Sequence, residues 1–178
     1  MNSSVASDIR AEHGLVESRL QSRALRAVAN AIVITDPVGK VVWVNPAFTR
    51  LTGYASHDVL GQNPRVLKSD QHSEAFYRQM WETIKAGQIW SGEVVNKRKD
   101  GSLYTEEMAI TPVRNESGAI THFIAVKHDI TARKQAEEAA RASQQLIEGI
   151  MNTMPVRVFW KDKNLIFLGC NAAFCVFR

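Results

Sequence analysis

The side chains that could do chemistry are few and dispersed. The histidines stand at His13, His57, His72, His122 and His128, too scattered to suggest a metal cluster. Cys170 and Cys175 form a Cys-x4-Cys pair with no further ligands beside it, which is weak ground for a metal and makes no disulfide framework. They read as ordinary buried thiols of a reducing cytoplasm. The sequence holds no Ser-His-Asp arrangement at family spacing, no HExxH, no phosphate-binding GxxxxGK[ST] and no GxGxxG. Gly39, Gly53, Gly61 and Gly92 are punctuation at turns. The chain is therefore expected not to be an enzyme, and any catalytic output would lie outside it.

Charge narrows the partners further. The excess of 22 basic over 18 acidic side chains is scattered: Lys97-Arg98-Lys99 stands beside Asp100, and Arg133-Lys134 precedes Glu137-Glu138. Nucleic-acid binders concentrate such residues on one face, so nucleic acid is not an expected partner. Charged residues at 22% and hydrophobic ones at 45% are typical of a soluble globular chain. No apolar run approaches the ~18 residues that span a bilayer. The N-terminus, with Asp8, Glu12 and Glu17, has no signal-peptide core. A cytoplasmic fragment without membrane contact is expected.

The elements that would position any site follow from periodicity and turn chemistry. Residues 1–30 predict a flanking helix that Ser7-Asp8 can cap. In it Ile9, His13, Val16, Leu20 and Ala27 follow three- and four-residue steps that Arg23 interrupts, a narrow seam for docking or for pairing with a second copy. Ala31–Asp36 and Val41–Asn45 predict a hairpin around Asp36-Pro37-Val38-Gly39. Asn45 should cap a short helix with Pro46 in its first turn and Gly53 as its stop. After a helical turn at His57–Gly61 and a bend at Asn63-Pro64 comes the longest internal helix, Ser73–Ala86. Phe76, Met80 and Ile84 lie on one face of it, with Tyr77 and Trp81 beside them. Strands Ile89–Lys97, Leu103–Thr111 and Ala119–His128 follow, turning at Asp100-Gly101 and Asn115–Gly118. The fold class is α+β, a five-stranded antiparallel sheet with helices on one face. The expected interior is Ile32, Ile34, Val44, Phe48, Phe76, Met80, Met108, Ile110, Phe123 and Ala125.

Beyond Asp129-Ile130-Thr131 a helix over 132–153 places Ala132, Ala136, Ala139, Ser143, Leu146 and Ile150 on alternating four- and three-residue steps, a coiled-coil-type linker. After Pro155 the opening pattern returns. Asp162–Asn171 repeats the spacing of Asp36–Asn45, and Asn171-Ala172-Ala173-Phe174 echoes Asn45-Pro46-Ala47-Phe48 at an offset of 126 residues. Residues 154–178 are expected to begin a second, truncated domain, leaving Phe159, Trp160, Phe167 and Phe177 partly exposed.

In order and spacing, Ala31–Asp36, Val41–Phe48, Leu51-Thr52-Gly53-Tyr54, Gly61–Arg65, Trp90-Ser91-Gly92-Glu93, Asn96–Gly101 and His128–Thr131 resemble a PAS domain with its C-terminal PAC part, over residues 31–131. The resemblance implies a sensor and dimerisation input module of a multidomain signal-transduction protein, such as a two-component histidine kinase, a diguanylate cyclase or a phosphodiesterase. It also implies a homodimer through the flanking helices and a linker helix that relays ligand or redox state to an output domain, with Asp129 and Thr131 as the hinge.

The resemblance leaves the cofactor open. Asn63, Arg65 and Asn96-x-Arg98-Lys99-Asp100-Gly101 are similar to the light-sensing LOV branch, which needs a cysteine directly after the residue matching Asn63. Pro64 stands there, so blue-light adduct chemistry is excluded. Glu106 and Lys127 replace the Asn and Gln usual in that branch. Flavin adenine dinucleotide held without a covalent bond is an alternative that the redox-sensing members imply, with Asn63, Arg65, Phe76, Trp90, Asn96 and Glu106 as its contacts. Haem would need His72, and a histidine beside Asp70 and Gln71 in a polar turn is more often solvent-exposed than a ligand. The remaining reading is a cofactor-free interaction module whose cavity is filled by side chains or holds a small metabolite.

Overall fold

The structure, a computed structural model, describes residues 16–17 and 19–175, the side chain of Cys175 apart. Ser7, Asp8, Ile9, His13 and Phe177 lie outside the described residues. The chain divides into two units, Met1–Thr131 and Ala132–Arg178.

In the first unit, helical residues 19–27 (α1) precede strands β1, Ala31–Thr35, and β2, Val41–Val44. The helical middle comprises α2 (Pro46–Thr52), α3 (Ser56–Val59), a 3-10 turn at Pro64–Leu67 and α4 (Glu74–Lys85). Strands β3 (Trp90–Lys97), β4 (Leu103–Arg114) and β5 (Ile120–Asp129) complete an antiparallel sheet of order β2-β1-β5-β4-β3. The five-stranded α+β reading is therefore correct, with β4 running three residues beyond the expected Thr111.

Local chemistry explains the joints. In the first hairpin Asp36 Oδ1 accepts from the amides of Val38 at 3.0 Å and Lys40 at 2.8 Å, the short-range bonding that makes Asp a turn residue. Gly39 takes φ +87°, a left-handed angle that a side chain would strain. Asn45 is the N-cap of α2 and Ser73 that of α4, each accepting from the amide three residues on. Asn45 does more than cap. Its Oδ1 accepts from the amides of Ile32 at 2.9 Å and Phe48 at 3.0 Å. Its Nδ2 donates to the carbonyls of Asn30 at 2.9 Å and Leu25 at 3.3 Å. With 1% exposure, this one side chain ties α1, β1 and α2 together.

Two apolar clusters fill the unit. One gathers Ala31, Val33, Val41, Val44, Phe48, Val59 and Leu67 under α2. The other gathers Met80, Ile84, Trp90, Val94, Met108, Ile110 and Phe123 between α4 and the sheet. Phe76 packs on the second cluster only partly buried. The expected facing of β1 needs correction: Val33 and Thr35 turn toward the helices and Ile34 pairs with Trp43 on the other side. The run AIVIT has no polar alternation, so its sequence does not say which residues face inward.

In the second unit, α5 (Thr131–Thr153) has no buried residue along its length. Strands β6 (Phe159–Lys161) and β7 (Phe167–Cys170) form a hairpin, and α6 (Ala172–Cys175) follows. Asp162 Oδ1 accepts from the amides of Asn164 and Ile166, both at 2.9 Å. Asn171 Oδ1 accepts from those of Val158 at 3.0 Å and Phe174 at 3.2 Å. Asn171 Nδ2 donates to the carbonyls of Met151 at 2.9 Å and Val156 at 2.8 Å. Every one of these partners stands 126 residues after its counterpart around Asp36 and Asn45. Phe159, Trp160 and Phe167 are exposed at 51%, 43% and 52%, so the apolar side of this hairpin lacks cover. Among the described residues no helix is long and apolar enough to cross a membrane.

Candidate functional site

Between α4 and the inner face of the sheet lies a cavity of about 460 Å³, within the ~300–1,000 Å³ typical of small-molecule sites. Its walls are apolar: Val33 from β1, Met80, Trp81 and Ile84 from α4, and Met108, Ile110 and Phe123 from β4 and β5. The four-residue repeat on α4 and the two-residue repeat on the strands bring these side chains to one space. The cavity is thus open, not filled by side chains.

One end is polar. Asn96 of β3 and Lys127 of β5 line it, and both converge on Glu106 of β4. Asn96 Nδ2 donates to Glu106 Oε1 at 2.9 Å, and Lys127 Nζ bonds the same oxygen. Lys127 Nζ also lies 3.3 Å from Met108 Sδ. Glu106 is 0% and Lys127 4% exposed; charges this deeply buried persist only when paired and hydrogen-bonded. Glu106 Oε2 and the hydroxyls of Tyr77 and Tyr104 are buried without hydrogen-bond partners, so this end has bonding capacity left over. Burial, followed by the charge of Glu106, pushes the Tyr104 phenol up from its ordinary pKa. Burial also raises that of Tyr77, with the charges of Asp70 and Glu106 adding to it.

The rest of the rim is cationic: Arg65, Lys68 and Lys85 line it together with Asn63 and Pro64. Lys68 lies 4.7 Å above the Tyr77 ring and Lys85 5.5 Å above that of Trp81, distances at which a cation is drawn to a ring face. Of the six contacts expected from the sequence, Asn63, Arg65 and Asn96 line the cavity. Glu106 stands behind Asn96, and Trp90 is buried beneath Phe76, whose ring meets it edge-on at 5.6 Å. Lys127, Tyr77 and Trp81 are lining residues that the list of expected contacts left out. Tyr77 and Trp81 were marked by their four-residue spacing on α4, and Lys127 by its inward phase with Phe123 and Ala125.

His72 is not a solvent-exposed turn residue. Its Nε2 accepts from the Val95 amide at 2.8 Å, and its ring stacks on Phe76 at 4.3 Å. Ser69 Oγ donates to the carbonyl of the same Val95, and Lys68 bridges to Asn96. The segment that supplies the cationic rim is thereby fastened along β3, which is an edge strand of the sheet. The bond from the Val95 amide occupies Nε2 of the His72 ring.

Asp129, the register partner of Glu106 on β5, meets Thr131. Asp129 Oδ1 accepts from the Thr131 amide at 2.9 Å and from its hydroxyl. Thr131 Oγ1 accepts from the Thr105 amide at 2.9 Å. Arg98 Nη2 reaches Asp129 Oδ2 at 2.9 Å, while its Nη1 donates to the Leu51 carbonyl at the end of α2. Partial burial raises the Asp129 pKa, but the bonds from Thr131 and Arg98 outweigh it and leave the carboxyl below its ordinary value. One arginine therefore joins the helical middle to the end of β5.

A family model described as PAS domain matches residues 29–132. The chain is 38% identical over 133 residues to the nitrogen fixation regulatory protein of Klebsiella oxytoca, a match over 75% of this chain and 27% of that protein. It is 33% identical over 95 residues to a blue-light-activated histidine kinase of Brucella canis, covering 53% of this chain and 19% of the kinase. Among solved structures, an RNA-binding light-oxygen-voltage receptor superposes with a TM-score of 0.63 at 33% identity, over 70% of this chain and 37% of that one. The chain thus spans about a quarter of the length of the Klebsiella relative.

Proposed function

This chain belongs to the PAS domain family, and we propose that residues 31–131 are a sensor whose cavity takes a flavin and whose state passes into α5. The observation that carries the reading is the cavity itself: apolar side chains on its walls, with Asn96 and Lys127 at its polar end. A flavin ring presents flat apolar faces and an edge of hydrogen-bond donors and acceptors, which those walls and that end complement. The names of a light-activated kinase and a light-oxygen-voltage receptor among the similar proteins favour the same ligand class.

When bound, the flavin would supply electron-transfer chemistry that sets the signal. The chain's own residues would hold it. Asn96 offers an amide to the ring's polar edge, Lys127 brings a cation already balanced by Glu106, and Trp81, Met80 and Ile84 exclude water. No cysteine lines the cavity and Pro64 does, so the state sensed is redox rather than light through a thiol adduct. Displacement of β5 by the ligand would reach α5 through Asp129 and Thr131, which lie two and four residues beyond Lys127 on the same strand and its exit.

Two architectural readings accompany this one. The exposed Leu146, Ile147 and Ile150 on an α5 without buried residues support pairing of that helix with a second copy. The repeated bonding around Asn171 supports residues 154–178 as the opening of a second domain of the same fold. Beyond them, the parent protein would carry a histidine kinase, diguanylate cyclase or phosphodiesterase output in the cytoplasm.

The test is a visible spectrum of the purified chain, followed by titration with flavin adenine dinucleotide and flavin mononucleotide. The expected result is a yellow protein, or saturable uptake weakened about tenfold or more by Asn96→Leu. A colourless chain that leaves flavin fluorescence unchanged overturns the flavin reading.

A further inference from the structure

Asn45 and Asn171 make the same set of bonds in their two units, and each uses both ends of its amide. The oxygen accepts from the amide that opens the hairpin and from the helix that follows it. The nitrogen reaches back to a carbonyl of the helix that arrives, Leu25 in one unit and Met151 in the other. An amide is suited to this because it is donor and acceptor at once. At 1% exposure for both residues, neither end can be left to water without cost.

We propose that this buried asparagine is the joint that fastens an incoming helix to the hairpin, and that Asn171 together with Asn152 is where α5 hands its state to the β6–β7 hairpin and α6. The proposal rests on the relay through Asp129 and Thr131 argued above. Within one chain α5 buries no residue along its length, so its ties to its own chain are the directional bonds at its two ends. At its start these come from Asp129 and Thr105. At its end the Met151 carbonyl is held by Asn171, and Asn152 Oδ1 accepts from the Ala172 amide at 2.8 Å. The first unit lacks an equivalent of that last bond, because Pro46 occupies the place of Ala172 and has no amide to give. The helix carbonyl is also nearer the asparagine nitrogen in the second unit, 2.9 Å against 3.3 Å. The joint after α5 therefore has a tie to α6 that the first joint lacks.

Hydrogen exchange on the full chain tests this. Asn171→Asp keeps an oxygen for the amides of Val158 and Phe174 but removes the donor to Met151. Asn152→Ala cuts the second tie at the surface. Asp129→Ala perturbs the far end of α5. With both ties intact, Asp129→Ala is expected to speed exchange in residues 149–153 and at the amides of Val158 and Phe174 by about fivefold, the equivalent of one hydrogen bond. With the ties cut, the effect in 149–153 should remain and that at Val158 and Phe174 should disappear. If those two amides respond equally in both backgrounds, the joint is wrong. If Asp129→Ala changes nothing beyond the first turn of α5, the relay fails, and the hand-over fails with it. Should Asn171→Asp unfold the hairpin, seen as full exchange of β6 and β7, Asn152→Ala alone carries the test, with about half the attenuation expected.

Discussion

Lys127 and Glu106 stand on neighbouring strands with their charged atoms in contact, and neither side chain is more than 5% exposed. Two opposite charges this far from water stabilise the fold only as a pair.

Replacing one member of the pair leaves an uncompensated charge. Lys127→Met or Glu106→Leu alone is expected to lower stability in urea by about 3–5 kcal/mol. The double replacement should cost much less than the sum of the two, because the partners are in direct contact. Additive losses would show that the two groups are solvated independently.

Asn45→Ala removes the acceptor of the buried Ile32 amide and the donor to the Asn30 carbonyl. Each buried polar group left without a partner costs about 1–3 kcal/mol, so a loss of at least about 2 kcal/mol is expected in thermal or urea unfolding. A loss below about 1 kcal/mol, the size of a simple cap, would mean that Asn45 only caps α2.

The carboxyl of Asp129 lies below its ordinary pKa in the folded chain. A carboxylate depressed in this way lends stability that is present above its unfolded pKa of about 3.9 and is lost as pH falls through the folded value. Wild type should therefore lose more stability than Asp129→Asn below about pH 4, and the two curves should run parallel above about pH 5. Circular dichroism melts across that range make the comparison. Parallel curves throughout would show that the bonds from Thr131 and Arg98 do not discriminate the charged form.

Leu165 sits at φ +66° where the first hairpin has Gly39 at φ +87°. The left-handed angle costs a branched residue about 1–2 kcal/mol, and Leu165 is 77% exposed, so its side chain gives little back through packing. Leu165→Gly should protect the amides of β6 and β7 from exchange, with a gain near 1 kcal/mol after the extra freedom of glycine in the unfolded chain is counted. Faster exchange would show that the leucine side chain holds the turn.

The caps, turns and element order were legible because each rests on a few adjacent residues. Asn45-Pro46, Ser73 and Asp36–Gly39 announce their geometry locally, as do Met80 and Ile84 at helical spacing. The facing of β1 was not legible, since Ile32, Val33 and Ile34 are equally apolar and only the ladder to β5 decides among them. The polar end of the cavity was half legible. Asn96 was marked by its motif and Lys127 by its place in the strand, but the buried pairing of Lys127 with Glu106 emerged only with the fold. The bond from the Val95 amide to His72 spans 23 residues, and nothing in the turn around Asp70 foretells it. Asp129 and Thr131 were read as one hinge, and their partner Arg98 emerged only with the fold.

The pairing of Val95 with Ser69 and His72 also bears on how copies of this molecule can meet. A naked outer strand offers a template on which foreign strands add, the usual route to runaway stacking. Here the amide and carbonyl of Val95, near the C-terminal end of β3, are already engaged by side chains from the same chain. A strand adding at this point would have to displace them first.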